Sequence, residues 1–556
     1  MFLCVLLVTW IAHASAFNVS ISQKFGVDDT SCFNPNGTLS CQSISYALGI
    51  LNDATFDNET IFVFSIRDKH YDLQTQVQIS QPRMDRHILI TSADKSTTTV
   101  IRCGFEFSGV IVGSENGDTI TTNNIHISNI EFQQFTASSA AVVMMWNSDN
   151  VSFKNCVFRD NKRVGINAHD SGVTIEGCIF SNNSANVQRT RFSPGQSSVA
   201  GGAGFVFRNA NHLNLVIRNT NFTGNSAAVN DSENFIPPAH SVSMIPELNF
   251  LGGGLLVAFL IKAKSNKVLV ANAVFENNRA TFGGGLFHFS CQSAEGNSME
   301  VQGSSFIGNR ASQAGGGLST SLWDFSEGTL VVKDSVIRDN WSRRGGGLNV
   351  FFMNYYSLTV NQSLIQFNNV TLDGNAGRAS AAVRLDTSLP VGFAITVVPE
   401  FIDCTIMNHG ATYLTYTAPF TSQRVNTKFI GRNVFTENHG AGAVEYQEGV
   451  INVIGTIEFI KNSGSHGGAV LLRSSQVTLY PDSELSFVEN SASGVGGAIM
   501  VQTRAMYEFI HEYNPDCFVK YSEKRTKPSQ WKVRSARIFS ENNSPAGLRG
   551  AFPNGR

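Results

Sequence analysis

Apolar residues in this chain come in short runs that are rich in β-branched side chains and bordered by polar ones. Lys267 to Val270 with Val274, and Leu330 to Val332 with Val336, are two examples; IFVFSI, VQIS, ILIT, GVIVG and IHISNIEF follow one another from Thr60 onward. Alternation over so few residues predicts strands, and no window among them sustains a helical period. One earlier segment departs from this. Ile44, Ala47, Leu48 and Leu51 fall at i, i+3, i+4 and i+7, which predicts one short amphipathic helix with Ser40 or Ser43 as its N-cap.

The strands are organised by a repeat. FENNRATFGGGL, FIGNRASQAGGGL and IRDNWSRRGGGL place anchors at Phe275, Phe306 and Ile337, 31 residues apart. Asn follows three places on, at Asn278, Asn309 and Asn340, and a Gly triplet follows that, opening at Gly283, Gly315 and Gly345. A fixed period of this length means stacked supersecondary units that bury an apolar face only against their neighbours. With strands as the units, the prediction is an all-β fold: a right-handed parallel β-helix with a short N-terminal capping helix. Phe should stack on Phe and Asn on Asn at the inter-strand spacing of about 4.8 Å. The Asn is expected at a left-handed turn position, where Asn is tolerated better than most residues.

Further anchors fall at Phe132, Phe158, Phe180, Phe222, Leu372, Ile406, Phe435, Phe459, Phe487 and Phe539. The shortest interval, 22 residues, suffices for one coil. Intervals of 42, 53 and 52 residues, ending at Phe222, Phe275 and Phe539, hold either a degenerate extra coil or a long loop. Gln188 to Ser198, Asn230 to Leu248 and Ala505 to Gln530 are polar and carry Pro or charge, as loops do. The Asn ladder continues through Asn161, Asn183, Asn225, Asn375, Asn408, Asn438, Asn462, Asn490 and Asn542, and its amides are expected to bond from coil to coil.

Composition agrees: Phe 41 against Tyr 11 and Trp 5, with Gly 49, suits stacked rings and many turns. With 41 basic and 43 acidic residues the formal net charge is -2, which gives no electrostatic reason to expect nucleic acid or an anionic membrane as partner. The apolar run Phe2 to Ile11 and the A-x-A site Ala14-Ser15-Ala16 predict a signal peptide over 1–16 and secretion. No later apolar run is long enough to span a membrane as a helix. The expected organisation is a cap over 17–59 and coils over 60–556, clearest over 132–556. The last repeat, FSENNSPAGLRGAF, stops at Arg556 without a cap, so we expect a fragment or further coils, a cap or an anchor downstream.

Eleven N-x-S/T sequons suit the secretory route: Asn18, Asn36, Asn58, Asn150, Asn182, Asn221, Asn230, Asn340, Asn361, Asn369 and Asn542. Cys32 and Cys41 flank the turn-rich CFNPNGTLSC and are the first candidates for a disulfide. Cys156 and Cys178 each lie two residues before an anchor, so they should stack, either bonded or as inward thiols; Cys404 occupies the matching slot.

F-x-x-N followed by G-G-A-I or G-G-G-L resembles the repeat of the chlamydial polymorphic outer-membrane proteins and related secreted β-helix proteins. FIKNSGSHGGAV (Phe459 to Val470) and FVENSASGVGGAI (Phe487 to Ile499), with the three opening repeats, match best. The resemblance implies a β-helical passenger used in adhesion; the membrane barrel of those proteins has no counterpart here.

Candidate chemistry is sparse. Arg279, Arg310, Arg343 and Arg344 form a basic stripe that could hold sulfated or uronic glycans by bidentate contacts, but solvated turn charge is the simpler explanation. His409, His439 and His466 each precede a Gly; stacked, they could share a metal, but their spacing from the anchors differs. Asp160, Asp339 and Asp373 recur as isolated turn residues, and Asp28 with Asp29 precede the helix. No paired carboxylates or nucleophile motif emerge, so neither catalysis nor a cofactor is expected. The expected role is multivalent adhesion to an extracellular protein or glycan. A polysaccharide lyase or glycosidase, and a structural matrix component, are the alternatives.

Overall fold

A computed structural model describes residues 16–32, 39–53, 61–73, 75–79, 87–94, 98–102, 110–113, 122–136, 141–185, 198–227, 250–260, 262–290, 294–323, 327–353, 363–387, 397–410, 418–495, 498–502 and 530–534. The fold is a right-handed parallel β-helix, and it divides into two units, Met1–Ala258 with Ala263–Val274, and Phe259–Lys262 with Phe275–Arg556.

The coil containing Phe306 shows how sequence makes the turn. A strand Ser298–Gln302 is followed by the anchor strand Ser305–Ile307, then Arg310–Ala314, then Leu318–Trp323. The first two form what we term the anchor face, the third the short face and the fourth the broad face. Single left-handed residues bracket the anchor strand: Gly303 (φ 57) and Gly308 (φ 64). Neighbouring coils place Asp334 and Asp339, or Asn369 and Gly374, at the same two corners, all with φ between 51 and 60. Gly, Asn and Asp enter that conformation most readily and hold many of the corners, while Glu437, Lys461 and Glu489 hold the one before Asn438, Asn462 and Asn490. This corrects the sequence reading: the left-handed residue is the one before the ladder Asn.

In the first unit, coils begin earlier than residue 60. Ala16–Ile21 already pairs in parallel with Ile61–Ile66, which pairs with His87–Ser92. The segment between them carries the helix α1 (Ile44–Asp53). Ser43 is its N-cap, accepting from the N–H of Tyr46 at 3.1 Å, and Ile44, Ala47, Leu48 and Leu51 are all buried. Cys32 and Cys41 are joined by a disulfide. Phe132, Phe158, Phe180 and Phe222 are in register, their rings 4.8 to 4.9 Å apart. The direct pairings Phe180↔Phe222 and Leu215↔Val268 show that the intervals of 42 and 53 residues each span a single coil, with the surplus chain outside the described residues. Cys156 and Cys178 do stack, but as buried free thiols: the N–H of Cys156 donates to Sγ of Cys178, and each thiol donates to backbone carbonyls. Burial pushes the Cys156 thiol well up, and its partner thiol adds to this.

In the second unit Phe275 stacks on Phe306 at 4.7 Å, and the row continues in register through Ile337, Leu372, Ile406, Phe435, Phe459 and Phe487. Beside it runs the Asn ladder. Asn340 donates from Nδ2 to the carbonyl of Phe306 (2.9 Å) and to Oδ1 of Asn375 (2.9 Å), and its own Oδ1 accepts from Asn309. Asn278, Asn309, Asn438, Asn462 and Asn490 sit in the same arrangement. A buried carboxamide left unpaired would be costly, so each rung depends on the partners that neighbouring coils supply. Asn408 is not a rung. It occupies the left-handed corner (φ 60), and His409 takes the buried slot, with its Nδ1 3.1 Å from the Asn375 carbonyl.

Past Gln502 the described residues are 530–534. Gln530–Arg534 runs antiparallel along Glu484–Val488, pairing Trp531 with Phe487, while the expected anchor Phe539, Asn542 and the chain end lie outside the described residues.

Candidate functional site

The most distinctive exposed chemistry lies on the short face of the second unit. Counting from the anchors, Arg279, Arg310 and Trp341 all stand four residues on, and the strand register stacks them: Arg279↔Arg310, then Arg310↔Trp341, then Trp341↔Ala376. Alternation explains their exposure. Ala280, Ala311 and Ser342, the next residues, point inward and are buried, so their neighbours stand out into solvent.

The four-arginine stripe expected from sequence is thereby revised. Arg279 and Arg310 share one row, but Trp341 takes its next position. A bulge between Ala280 and Phe282, matched between Ala311 and Ala314, brings Arg344 into register with Ala314. Arg343 and Arg344 flank the row. Partial burial and the Arg384 guanidinium pull Arg344 below the usual range, with Asp386 opposing and Arg343 adding to the shift.

No carboxylate occurs within Arg279–Phe282, Arg310–Ala314, Trp341–Arg344 or Ala376–Gly377. Among the described residues, neither Arg279 nor Arg310 has an ion-pair partner. Two guanidiniums at about the 4.8 Å rung spacing repel each other, and an anion seated across them would remove that repulsion. Trp341, 36% exposed, stands in register beside Arg310. An exposed indole next to guanidiniums offers an apolar platform and a set of planar donors together.

The other candidates have structural employment. Asp28 accepts from the N–H groups of Gln42 and Ser43 and from the Ser43 hydroxyl, and Asp29 accepts from Ser31. Asp160 accepts from Asn182, Asp373 from Asn408, and Asp339 pairs with Arg338 at 3.3 Å. They do not converge. The histidines do not stack either: His439 is in register with Ser463, His466 with Val495, and His409 is buried. Among the described residues no group of three or more His, Cys, Asp or Glu is placed to hold a metal.

Of the sequons, Asn18, Asn150, Asn182, Asn221 and Asn369 are exposed on the anchor face or its corners. Asn340 is fully buried as a ladder rung, so its amide has no room for a glycan. Asn36, Asn58, Asn230, Asn361 and Asn542 lie outside the described residues.

Residues 86–236 match the family described as a right handed beta helix region. No curated protein matches the chain. Among solved structures it is similar to PfbA, a surface adhesin of Streptococcus pneumoniae, at 11% identity and TM-score 0.35, over 83% of this chain and 86% of that one. It is similar also to a family 28 exopolygalacturonase of Yersinia enterocolitica, at 12% identity and TM-score 0.39, over 79% of this chain and 78% of that one. A rhamnogalacturonan lyase aligns at 8% identity and TM-score 0.20, over 91% of both chains. None of the three is close enough to say what this chain binds.

Proposed function

We propose that this β-helix is a non-catalytic recognition protein, secreted or displayed at a cell surface, that adheres to acidic glycans through the short face of its second unit. The observation that carries this reading is the row Arg279, Arg310, Trp341, in register and with no carboxylate on its strands. The two guanidiniums would take sulfate or carboxylate groups bidentately, while Trp341, next in the row after Arg310, would stack on an adjoining sugar ring. Each such contact is modest, and the repeat allows several along one polymer, so affinity would come from multivalency. The candidate acids are dispersed among turns and hydrogen-bonded there, which supports binding over glycoside cleavage.

The test is binding of the secreted chain to immobilised heparin, polygalacturonate and neutral dextran across a salt series, with product release followed in parallel. Salt-sensitive retention on the acidic polymers without cleavage is expected. The Arg279→Ala/Arg310→Ala chain should bind about tenfold more weakly or worse, since charge-assisted bonds contribute about 1.5–3 kcal/mol each. Equal retention on dextran, or an unchanged double variant, would refute the reading.

A further inference from the structure

Two more exposed arginines continue the short-face site beyond Trp341. Side chains alternate along the strand that supplies Trp341, so Arg343 stands outward as Trp341 does, while Ser342 between them is buried. On the next coil Gly377 is buried and Arg378 beside it is exposed. The backbone N–H of Arg378 donates to the Ser342 carbonyl and that of Ala379 to the Arg343 carbonyl, which carries Arg378 alongside Arg343 much as Arg279 is carried alongside Arg310. Each of four successive coils therefore presents an exposed guanidinium on this face, and residues 376–380, like the three strands before them, hold no carboxylate.

The guanidiniums come as two pairs with the indole at the step between them. Arg279 and Arg310 are neighbours in one row, in which Trp341 is next; Arg343 and Arg378 are neighbours in a row two residues further along the strands. With rungs about 4.8 Å apart and about 3.3 Å per residue, the path from Arg279 through Arg310 and Arg343 to Arg378 is about 18 Å long. A 1,4-linked pyranose ring, built from C–C bonds of about 1.5 Å, advances its chain by about 5 Å. About four rings span the path, and four cations meet them.

One border of this track is acidic. Glu276, Asp339 and Asp373 lie at the corner that precedes these strands, with Arg338 set against them, and the Asp339 side chain is 62% exposed. A chain carrying anions on both edges would press some of them against that corner, whereas one anion per ring can all face the arginines.

Given the acidic-glycan reading, on which this depends, we infer that the short face binds a linear polyuronate laid along the coil stack. About four consecutive rings present their carboxylates to Arg279, Arg310, Arg343 and Arg378 in turn, and the ring at the step lies on Trp341. Bidentate guanidinium–carboxylate contacts fix the register, and the indole supplies the apolar contact.

The experiment titrates the full chain by calorimetry with oligogalacturonates of two to six rings and with a heparin hexasaccharide. Affinity should climb at least about tenfold between two rings and four and gain little more up to six, because only about four carboxylates find a guanidinium. Arg343→Ala/Arg378→Ala should bind the tetramer at least about tenfold more weakly with an unaltered melting temperature, since both side chains are exposed. Arg343→Lys/Arg378→Lys should recover part of that loss, having the charge without the planar fork. The heparin hexasaccharide should bind more weakly than hexagalacturonate although it carries more charge. An affinity indifferent to length, an Arg343→Ala/Arg378→Ala chain that binds the tetramer as the parent does, or a preference for heparin would each overturn the polyuronate assignment while leaving acidic-glycan binding in place. If no acidic oligomer or polymer is retained at all, both fall.

Discussion

Asn309 and Asn340, 31 residues apart in sequence, share one oxygen: Oδ1 of Asn340 accepts from the backbone N–H of Asn309 at 2.9 Å and from its Nδ2 at 3.0 Å. The same Nδ2 also reaches the Phe275 carbonyl at 2.8 Å, so one side chain ties together three coils. Its own Oδ1 accepts from Asn278 in the same way.

Asn309→Ala should therefore be strongly destabilising. It would strand the Phe275 carbonyl and the Asn278 amide in a buried channel, at about 1–3 kcal/mol for each group left unsatisfied. Asn408→Ala, at an exposed corner, should cost within about 1 kcal/mol. Denaturant midpoints of the two variants decide whether His409 or Asn408 is the rung. Equal losses would refute the assignment.

Cys156, Cys178 and Cys404 should resist alkylation in the native chain and react once it is unfolded. Burial raises Cys404 to about 12, and a thiol held neutral and shielded is a poor nucleophile. Mass spectrometry of the three peptides after iodoacetamide, with and without denaturant, reads this directly. Native labelling of any of them would place it outside the core.

N-glycans, when the chain is expressed through a eukaryotic secretory pathway, should be absent from Asn340. Asn182 and Asn369 also bond to a neighbouring coil, through Asp160 and Asp334, but from exposed corners that leave a glycan room. Glycopeptide mapping checks this, and a glycan on Asn340 would contradict its buried position.

The stacking of anchors was legible because a parallel coil turns a fixed sequence interval into a contact, and Phe is large enough to be seen at each return. The left-handed corners were misplaced by one residue, since Asn and Gly serve both at the corner and beside it. His409 hid its role because imidazole can substitute for carboxamide only once the depth of the slot is known. The arginine row was half visible. Arg279 and Arg310 follow ladder asparagines, as does Trp341, and counting four residues from each anchor would have found it. A bulge cannot be counted, however, and it is the bulge that displaces Arg344.

Acid should destabilise the protein through its buried histidines. Burial lowers His409 and His169 to about 4 and His288 to about 3. His409 and His288 each have one ring nitrogen without a hydrogen bond, so protonation there meets no acceptor. In the unfolded chain the same groups titrate near 6.5. Between 6.5 and about 4 the unfolded state therefore binds more protons than the folded one, and stability falls as the pH is lowered through that window. It is fully present above 6.5, and the losses from His409 and His169 level off below about 4, where the folded state protonates as well. Each histidine contributes a slope of up to about 1.4 kcal/mol per pH unit. His409→Asn restores the ladder carboxamide and removes one titrating group, so its denaturant midpoint should decline less steeply between pH 6.5 and 4 than that of the parent. Parallel pH profiles for the two chains would show that His409 is not the buried rung.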